Sequence, residues 1–263
     1  MDLGIKNKVA LVTAASQGLG KASAIELANE GVKLAICSRD QDKINQTAEE
    51  IQNLSGAEVL AVKADLDSTD DIENLIKEIE NKFNTVDILV NNTGGPKAGF
   101  FDDLSDEDWL KTFESTFLSA VRVTRKVLPF MKKNKWGRII NISSVSAKQP
   151  IDNLMLSNGV RMSIHGWAKT LSNQVASENI LINNVCPGFT HTERVDGLIK
   201  AQVENSNSSR EDIIESIASD IPAKRVGQAN ELAALVVFLS SEKASYITGQ
   251  SIAVDGGISS LPI

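Results

Sequence analysis

A chain of 263 residues with 42% hydrophobic and 23% charged residues has an ordinary globular composition and enough length to bury a large core as one α/β domain. Its net charge of −7 excludes the broad basic face that would collect phosphates along a nucleic acid. Two cysteines, Cys37 and Cys186, stand in no metal-ligand spacing, so neither a disulfide framework nor a metal site is expected, and both read as buried small residues.

The N-terminal stretch "MDLGIKNKVALVTAA" lacks a basic region followed by an unbroken apolar run, and nowhere do about 18 apolar residues follow one another. The expectation is a cytoplasmic protein without a membrane span. "KVALVTAA" (8–15) is short and apolar, as a strand buried on both faces should be, and "GLGKASAIELANEG" (18–31) reads as a helix closed by Gly31. The alternation continues with a strand at 32–39, a helix at 42–56, a strand at 57–66, a helix at 70–83 and a strand at 86–94. "WLKTFESTFLSAVRVTRKVLPFMKK" (109–133) is expected as one long helix with Pro129 near its end. Strand 136–145, helix 156–177 and strand 180–188 follow, then helix 230–241 and a last strand at 250–257. The charged runs "DDLSDED" (102–108) and "KKNKWGR" (132–138) read as solvated helix ends.

Strict alternation of strand and helix predicts one domain over residues 1–263. It is an α/β, Rossmann-type, doubly wound parallel sheet with helices on both faces. The exception is the polar segment 190–225, placed just after a strand end. Open α/β sheets bind ligands at that edge, so this segment is a candidate lid.

"TAASQGLG" (13–20) joins the first strand to the first helix. Gly18 and Gly20 let the backbone approach a pyrophosphate, whose charge a helix N-terminus favours. At the end of the second strand, "CSRD" sets Arg39 nineteen residues after Gly20, with Ser16 and Ser38 nearby. A guanidinium suits a 2′-phosphate, so NADP(H) is favoured over NAD(H), which Asp40 keeps open.

With these pieces the chain resembles the short-chain dehydrogenase/reductase family, most closely its 3-oxoacyl-acyl-carrier-protein reductase type, over nearly its whole length. The family's "TGxxxGxG" is matched by Thr13, Ala14, Ala15, Ser16, Gln17, Gly18, Leu19 and Gly20, with alanine for the first glycine; "NNAG" is matched by Asn91, Asn92, Thr93 and Gly94. The resemblance implies adenine contacts at Asp65 and Leu66. Further cofactor contacts are implied at Asn92 and Gly94, and along Pro187, Gly188, Thr190 and Thr192.

At the catalytic positions the sequence departs from the family. The helix asparagine, seven residues after Trp109, becomes Thr116; the serine is kept as Ser144. The tyrosine, thirteen residues after Ser144, becomes Ser157, and the lysine four further on becomes Arg161. The chain's only tyrosine, Tyr246, belongs to the tail motif. An alternative register through His165 and Lys169 fits less well, because a common basic residue of the family falls on Lys169 when Ser157 is taken as the tyrosine position. Arg161 keeps a charge that can hold the nicotinamide ribose, whereas an aliphatic hydroxyl is a far poorer acid than a phenol of pKa ~10. Substitute donors are Ser157 through water, Lys97 and His191.

The expected activity is NADP(H)-dependent reduction of a small-molecule carbonyl, or oxidation of an alcohol, with an altered proton donor. The family implies a homo-oligomer, a dimer or tetramer. A dinucleotide-binding sensor without turnover is the alternative, followed by other chemistry on the same framework. No acid, histidine and serine fall in a hydrolase-like arrangement.

Overall fold

In the computed structural model, which describes residues 1–204, 206 and 208–260, the brief apolar runs pair into one parallel sheet of seven strands. They are β1 (Val9–Val12), β2 (Lys33–Ser38), β3 (Val59–Lys63), β4 (Ile88–Asn91), β5 (Gly137–Ile142), β6 (Ile180–Pro187) and β7 (Ser251–Val254). Their spatial order is β3-β2-β1-β4-β5-β6-β7. The chain turns back at β1, so the connections leaving β1 and β4 diverge and open a crevice at their carboxyl ends.

Side-chain alternation divides the core between the two faces. Val12, Ile36 and Ile88 point one way, towards α1 (Gly18–Asn29), α2 (Gln41–Ser55) and α9 (Ala229–Leu239). Leu11, Ala35 and Leu89 point the other way, towards α3 (Thr69–Phe83), α5 (Ser119–Asn134) and α6 (Met155–Val175). Each fully buried Leu or Ile contributes roughly 1.5–3 kcal/mol. Both cysteines are free and buried. No helix among the described residues is long and apolar enough to cross a membrane.

Three expectations need correction. The helix expected over 109–133 is α4 (Asp106–Thr112), a wide π turn (Phe113–Leu118) and α5. Its hydroxyls bond back onto the helix: Thr112 Oγ1 to the Asp108 carbonyl at 2.7 Å and Ser119 Oγ to the Ser115 carbonyl at 2.6 Å. Such back-bonding competes with the regular ladder and bends helices. Pro129 continues α5 on an exposed face, where the carbonyl it leaves unpaired can meet water.

The run 132–138 is a solvated helix end only as far as Lys135. Trp136 and Arg138 are buried, and Arg138 donates to the carbonyls of Gly137, Asn179 and Ser241 while its guanidinium stacks on Trp136. Finally, the segment 190–225 is largely helical, holding α7 (Glu193–Glu204) and α8 (Arg210–Asp220).

Candidate active site

The strand expected over 8–15 ends at Val12 because Ala14 takes a positive φ of 46° and turns the chain towards α1. Thr13 locks this turn to β4: its hydroxyl donates to the Asn92 carbonyl at 2.7 Å and accepts from the Asn92 amide at 2.8 Å. Asn92 Nδ2 closes the pair on the Ala14 carbonyl at 3.1 Å. A Cβ at Gly20 would lie 2.6 Å from both the Ala14 oxygen and Asn92 Nδ2, so only glycine fits there. Gly18 needs its freedom for a φ of 58°, and nothing lies within 4 Å of a Cβ built on Gly94. Glycines that keep side chains off an open crevice fit a bound dinucleotide.

At the end of β2, Ser38 Oγ is used within its own turn, donating to the Asp40 carbonyl at 2.9 Å. Asp40 caps α2, its carboxylate accepting from the Lys43 amide at 3.1 Å. Arg39 is exposed, and among the described residues no carboxylate reaches it in an ion pair. Its charge is felt by Asp67, yet burial and the neighbouring Asp65 still push that carboxyl upwards. Asp65 and Leu66, half-buried beside Asp67, follow β3 at the same edge. Ser16, Gln17 and Leu19 lie along the turn, where the Ser16 carbonyl accepts from Thr47 Oγ1 at 3.2 Å.

Across the switch point the predicted catalytic side chains converge at the end of β5. Ser144 Oγ accepts from the Ser146 amide at 3.0 Å, capping a short turn. Ser157, in the first turn of α6, is buried, and its hydroxyl meets Ser146 Oγ at 2.9 Å. Arg161 lies one helical turn on, buried, with Nη1 donating to the carbonyls of Ile142 at 2.9 Å and Ser143 at 3.1 Å. Burial lowers its pKa to about 10. Asn158 fixes where α6 begins, bonding both ways with the Ile151 backbone, and Trp109 seats against Gly159.

Thr116 is buried inside the π turn and lines a cavity of about 10 Å³ with Asn91, Thr93 and Asn141, room for about one water. Beside it runs a feature the sequence reading missed. Asn91, Asn141, Asn184 and Ser251 occupy matched register positions on β4 to β7, and each carboxamide donates to the next side chain at 2.9 Å. The signal was present: "VNN", "INI" and "INNV" each set an asparagine inside an otherwise apolar strand.

His165 was read as a helix-face residue rather than an acid. It is half-buried, with Nε2 2.8 Å from Ser143 Oγ and 3.7 Å from Cys186 Sγ. Burial, then the charges of Lys148 and Arg161, lower its pKa to about 4. Burial pushes the Cys186 thiol up to about 11. Both are therefore neutral near pH 7. Of the substitute donors, Lys97 is tied to Asp108 at 2.9 Å, and His191 lines a cleft between α1 and α7 with Gly18, Lys21 and Glu193.

The end of β6 carries Pro187 and Gly188, where a Cβ would strike Asp255. Thr190 is buried, and Thr192 Oγ1 accepts from the Val195 amide at 3.4 Å at the start of α7. Two α7 side chains reach back over the crevice. Glu193 Oε2 lies 3.5 Å from a Cβ built on Gly18, and Arg194 Nη2 donates to the Pro96 carbonyl at 2.5 Å. No group of three or more metal-ligating side chains occurs among the described residues.

Comparison with known proteins agrees with this geometry. Residues 13–259 match the family model described as enoyl-(acyl carrier protein) reductase. The NADPH-dependent reductase BacG of Bacillus subtilis (strain 168) is 36% identical over 254 residues, 96% of this chain and 98% of its own. The 3-oxoacyl-(acyl-carrier-protein) reductase FabG of Staphylococcus epidermidis is 32% identical over 253 residues, 96% of this chain and 99% of its own. Among solved structures, L-sorbose reductase from Gluconobacter frateurii complexed with NADPH and L-sorbose superposes with a TM-score of 0.95 at 31% identity, covering 99% of this chain and 100% of its own. The chain belongs to the short-chain dehydrogenase/reductase family, and it is an oxidoreductase of that type.

Proposed function

We propose that this chain is an NADP(H)-dependent reductase that converts a carbonyl to an alcohol, or runs the reverse oxidation, at a site that holds the substrate oxygen without a phenol to protonate it. The cofactor supplies or accepts the hydride when bound. Thr13, Gly18, Gly20, Asn92 and Gly94 shape its crevice, with Ser16, Gln17 and Leu19 along the turn. Asp65 and Leu66 border the adenine position, and Pro187, Gly188, Thr190 and Thr192 the nicotinamide end.

Arg39, assisted by Ser16 and Ser38, meets the 2′-phosphate. The role of Asp40 supports that choice: its carboxylate is engaged in capping α2, accepting from the Lys43 amide. The NADPH named for BacG and for the sorbose reductase complex points the same way.

The observation that carries the mechanism is the Ser157–Ser146 pair above Arg161. Ser144 and Ser157 offer hydroxyls to the substrate oxygen. Arg161, braced by two β5 carbonyls, supplies the positive charge that favours negative charge building on that oxygen and orients the ribose. Thr116 lines the small cavity beside the π turn. The proton then comes from water or from a neighbour such as His191.

Exposed Leu110, Phe113 and Met162 lie on the adjoining α4, π-turn and α6 surfaces and support assembly as a homo-oligomer. The test is NADPH consumption with a panel of ketones, alongside Ser157→Ala and Arg161→Ala. Slow turnover that falls further in both variants is expected. Turnover unchanged by either substitution overturns the roles given to them, and cofactor binding with no turnover in either direction moves the reading to a dinucleotide sensor.

A further inference from the structure

The arginines of this chain divide by whether a carboxylate holds them. Arg122 pairs with Glu114, Arg138 with Glu242, Arg210 with Asp196 and Arg225 with Glu231. Arg194 does not. Among the described residues no carboxylate lies within ion-pair distance of it, and its side chain donates to one backbone carbonyl, that of Pro96. A guanidinium carries five N–H donors in a rigid fork, so most of its capacity stays open.

Its position gives that capacity a purpose. Arg194 opens α7 directly after the 187–192 segment and reaches across to the connection that leaves β4. There a Cβ on Gly95 would sit 2.7 Å from Nε and 3.1 Å from Cζ. The guanidinium thus bridges two connections at the carboxyl edge of the sheet, on the substrate side of the crevice. Loss of water lowers its pKa, and its charge in turn lowers that of Arg161. Arg161 is buried whereas Arg194 is exposed, so the open donors of Arg194 are accessible to an anion, which would lie in the field of both cations.

We propose that Arg194 is a substrate-recognition residue and that the substrate is a carbonyl compound bearing a carboxylate. The carboxylate fits the fork of Arg194, while the carbonyl oxygen lies towards Ser144, Ser157 and Arg161. This rests on the carbonyl-reductase reading above, and it adds the charge of the substrate, which that reading leaves open. The planar fork takes a carboxylate in two parallel hydrogen bonds, which also fixes how the carbonyl is presented.

The test compares straight-chain 2-oxo and 3-oxo carboxylates with their methyl esters, using the unmodified protein, Arg194→Gln and Arg194→Lys. Arg194→Gln is expected to raise KM for the carboxylates roughly 10- to 100-fold, the range for a lost charge-assisted pair, with kcat nearly unchanged. The esters should be poor substrates of the unmodified protein and indifferent to the change. Lysine, which keeps the charge but not the fork, should recover part of the loss.

Binding of hexanoate, measured by calorimetry against methyl hexanoate in the presence of NADP+, separates this proposal from the reading beneath it. Arg194-dependent hexanoate binding without turnover of any oxo acid retains the carboxylate site at Arg194 and removes the carbonyl-reductase reading beneath it. Equal effects on acids and esters overturn the proposal. So does a loss of NADPH affinity in Arg194→Gln as large as the loss of carboxylate affinity, which would assign the arginine to the cofactor's own phosphates.

Discussion

The half of the sheet built on β1–β3 and the half built on β4–β7 both depart from the family pattern, but in different ways. In the first, Ala14 replaces a glycine and the turn keeps its path: Thr13, Asn92 and Gly20 still interlock, at the expense of a positive φ on an alanine. In the second, the proposed site changes its reacting groups, the resemblance putting Ser157 where the family has a phenol and Arg161 where it has an ammonium. A backbone departure leaves the chemistry in place, whereas a departure at the acid leaves the frame in place. If this contrast is right, the second half should be repairable by side chains alone.

That expectation carries the largest effect. Ser157→Tyr, alone and with Arg161→Lys, should raise kcat for ordinary ketones, with about 10²–10⁴-fold as the range that general acid catalysis supplies. NADPH consumption measures it. No gain in either variant, with NADPH affinity and fold retained, would mean that this half has changed its reaction rather than lost its acid, and the contrast would fail.

The next test lies in the first half. Arg39→Ala should narrow the preference for NADPH over NADH by roughly 1.5–3 kcal/mol, a charge-assisted pair lost. Asp40→Ala should instead cost about 1 kcal/mol of stability through the lost cap, without altering the preference. Calorimetric titration with both cofactors decides, and equal affinities in the unmodified protein would remove the role given to Arg39.

The halves also differed in how far their sequence could be read. The parallel sheet and the glycine turn were legible because buried parallel strands and tight turns leave local marks: short apolar runs, and glycines at fixed offsets. What escaped notice in the second half depends on contacts distant in sequence. The Ser146–Ser157 pair joins residues 11 positions apart, and Asn141 to Asn184 spans 43. Arg138 looked like one more cation in a basic run, yet its burial is set by Trp136 and by the carbonyl of Ser241, 103 residues away. The break at Phe113–Leu118 hid inside a good helical pattern, because one wide turn leaves the run of helix-forming residues unchanged.

A third effect should appear on acidification and belongs to the second half. His165, facing Ser143, Cys186, Lys148 and Arg161, has its pKa lowered to about 4 from 6.5. Below pH 6.5 the unfolded chain binds a proton there that the folded chain refuses, so stability falls as pH drops from about 6.5 towards 4. Between pH 7 and pH 5 the expected loss from this group is about 2 kcal/mol. Urea unfolding of the unmodified protein and of His165→Asn should show that much less pH dependence in the variant. Parallel curves would place His165 in contact with water and free of its neighbours' charge.

The smallest effect tests the departure in the first half. Ala14 is held at a φ of 46°, where its Cβ crowds the backbone at a cost of roughly 1–2 kcal/mol. The site cannot relax, because the Ala14 carbonyl accepts from Asn92 Nδ2, and its oxygen lies where a Cβ on Gly20 would go. Ala14→Gly removes the crowding but frees the unfolded chain, which returns about 0.5–1 kcal/mol to the unfolded state. The balance should be a gain of about 0.5–1 kcal/mol, which for a chain of this size moves the midpoint of thermal unfolding upwards by about 1–3 °C. NADPH affinity should not change, because the carbonyl and its Asn92 partner keep their places. A fall in stability would show that alanine sits there without strain. A rise accompanied by tighter NADPH binding would show that the strain had also been holding the glycine turn away from its binding geometry, so that even the first half's departure reaches the chemistry.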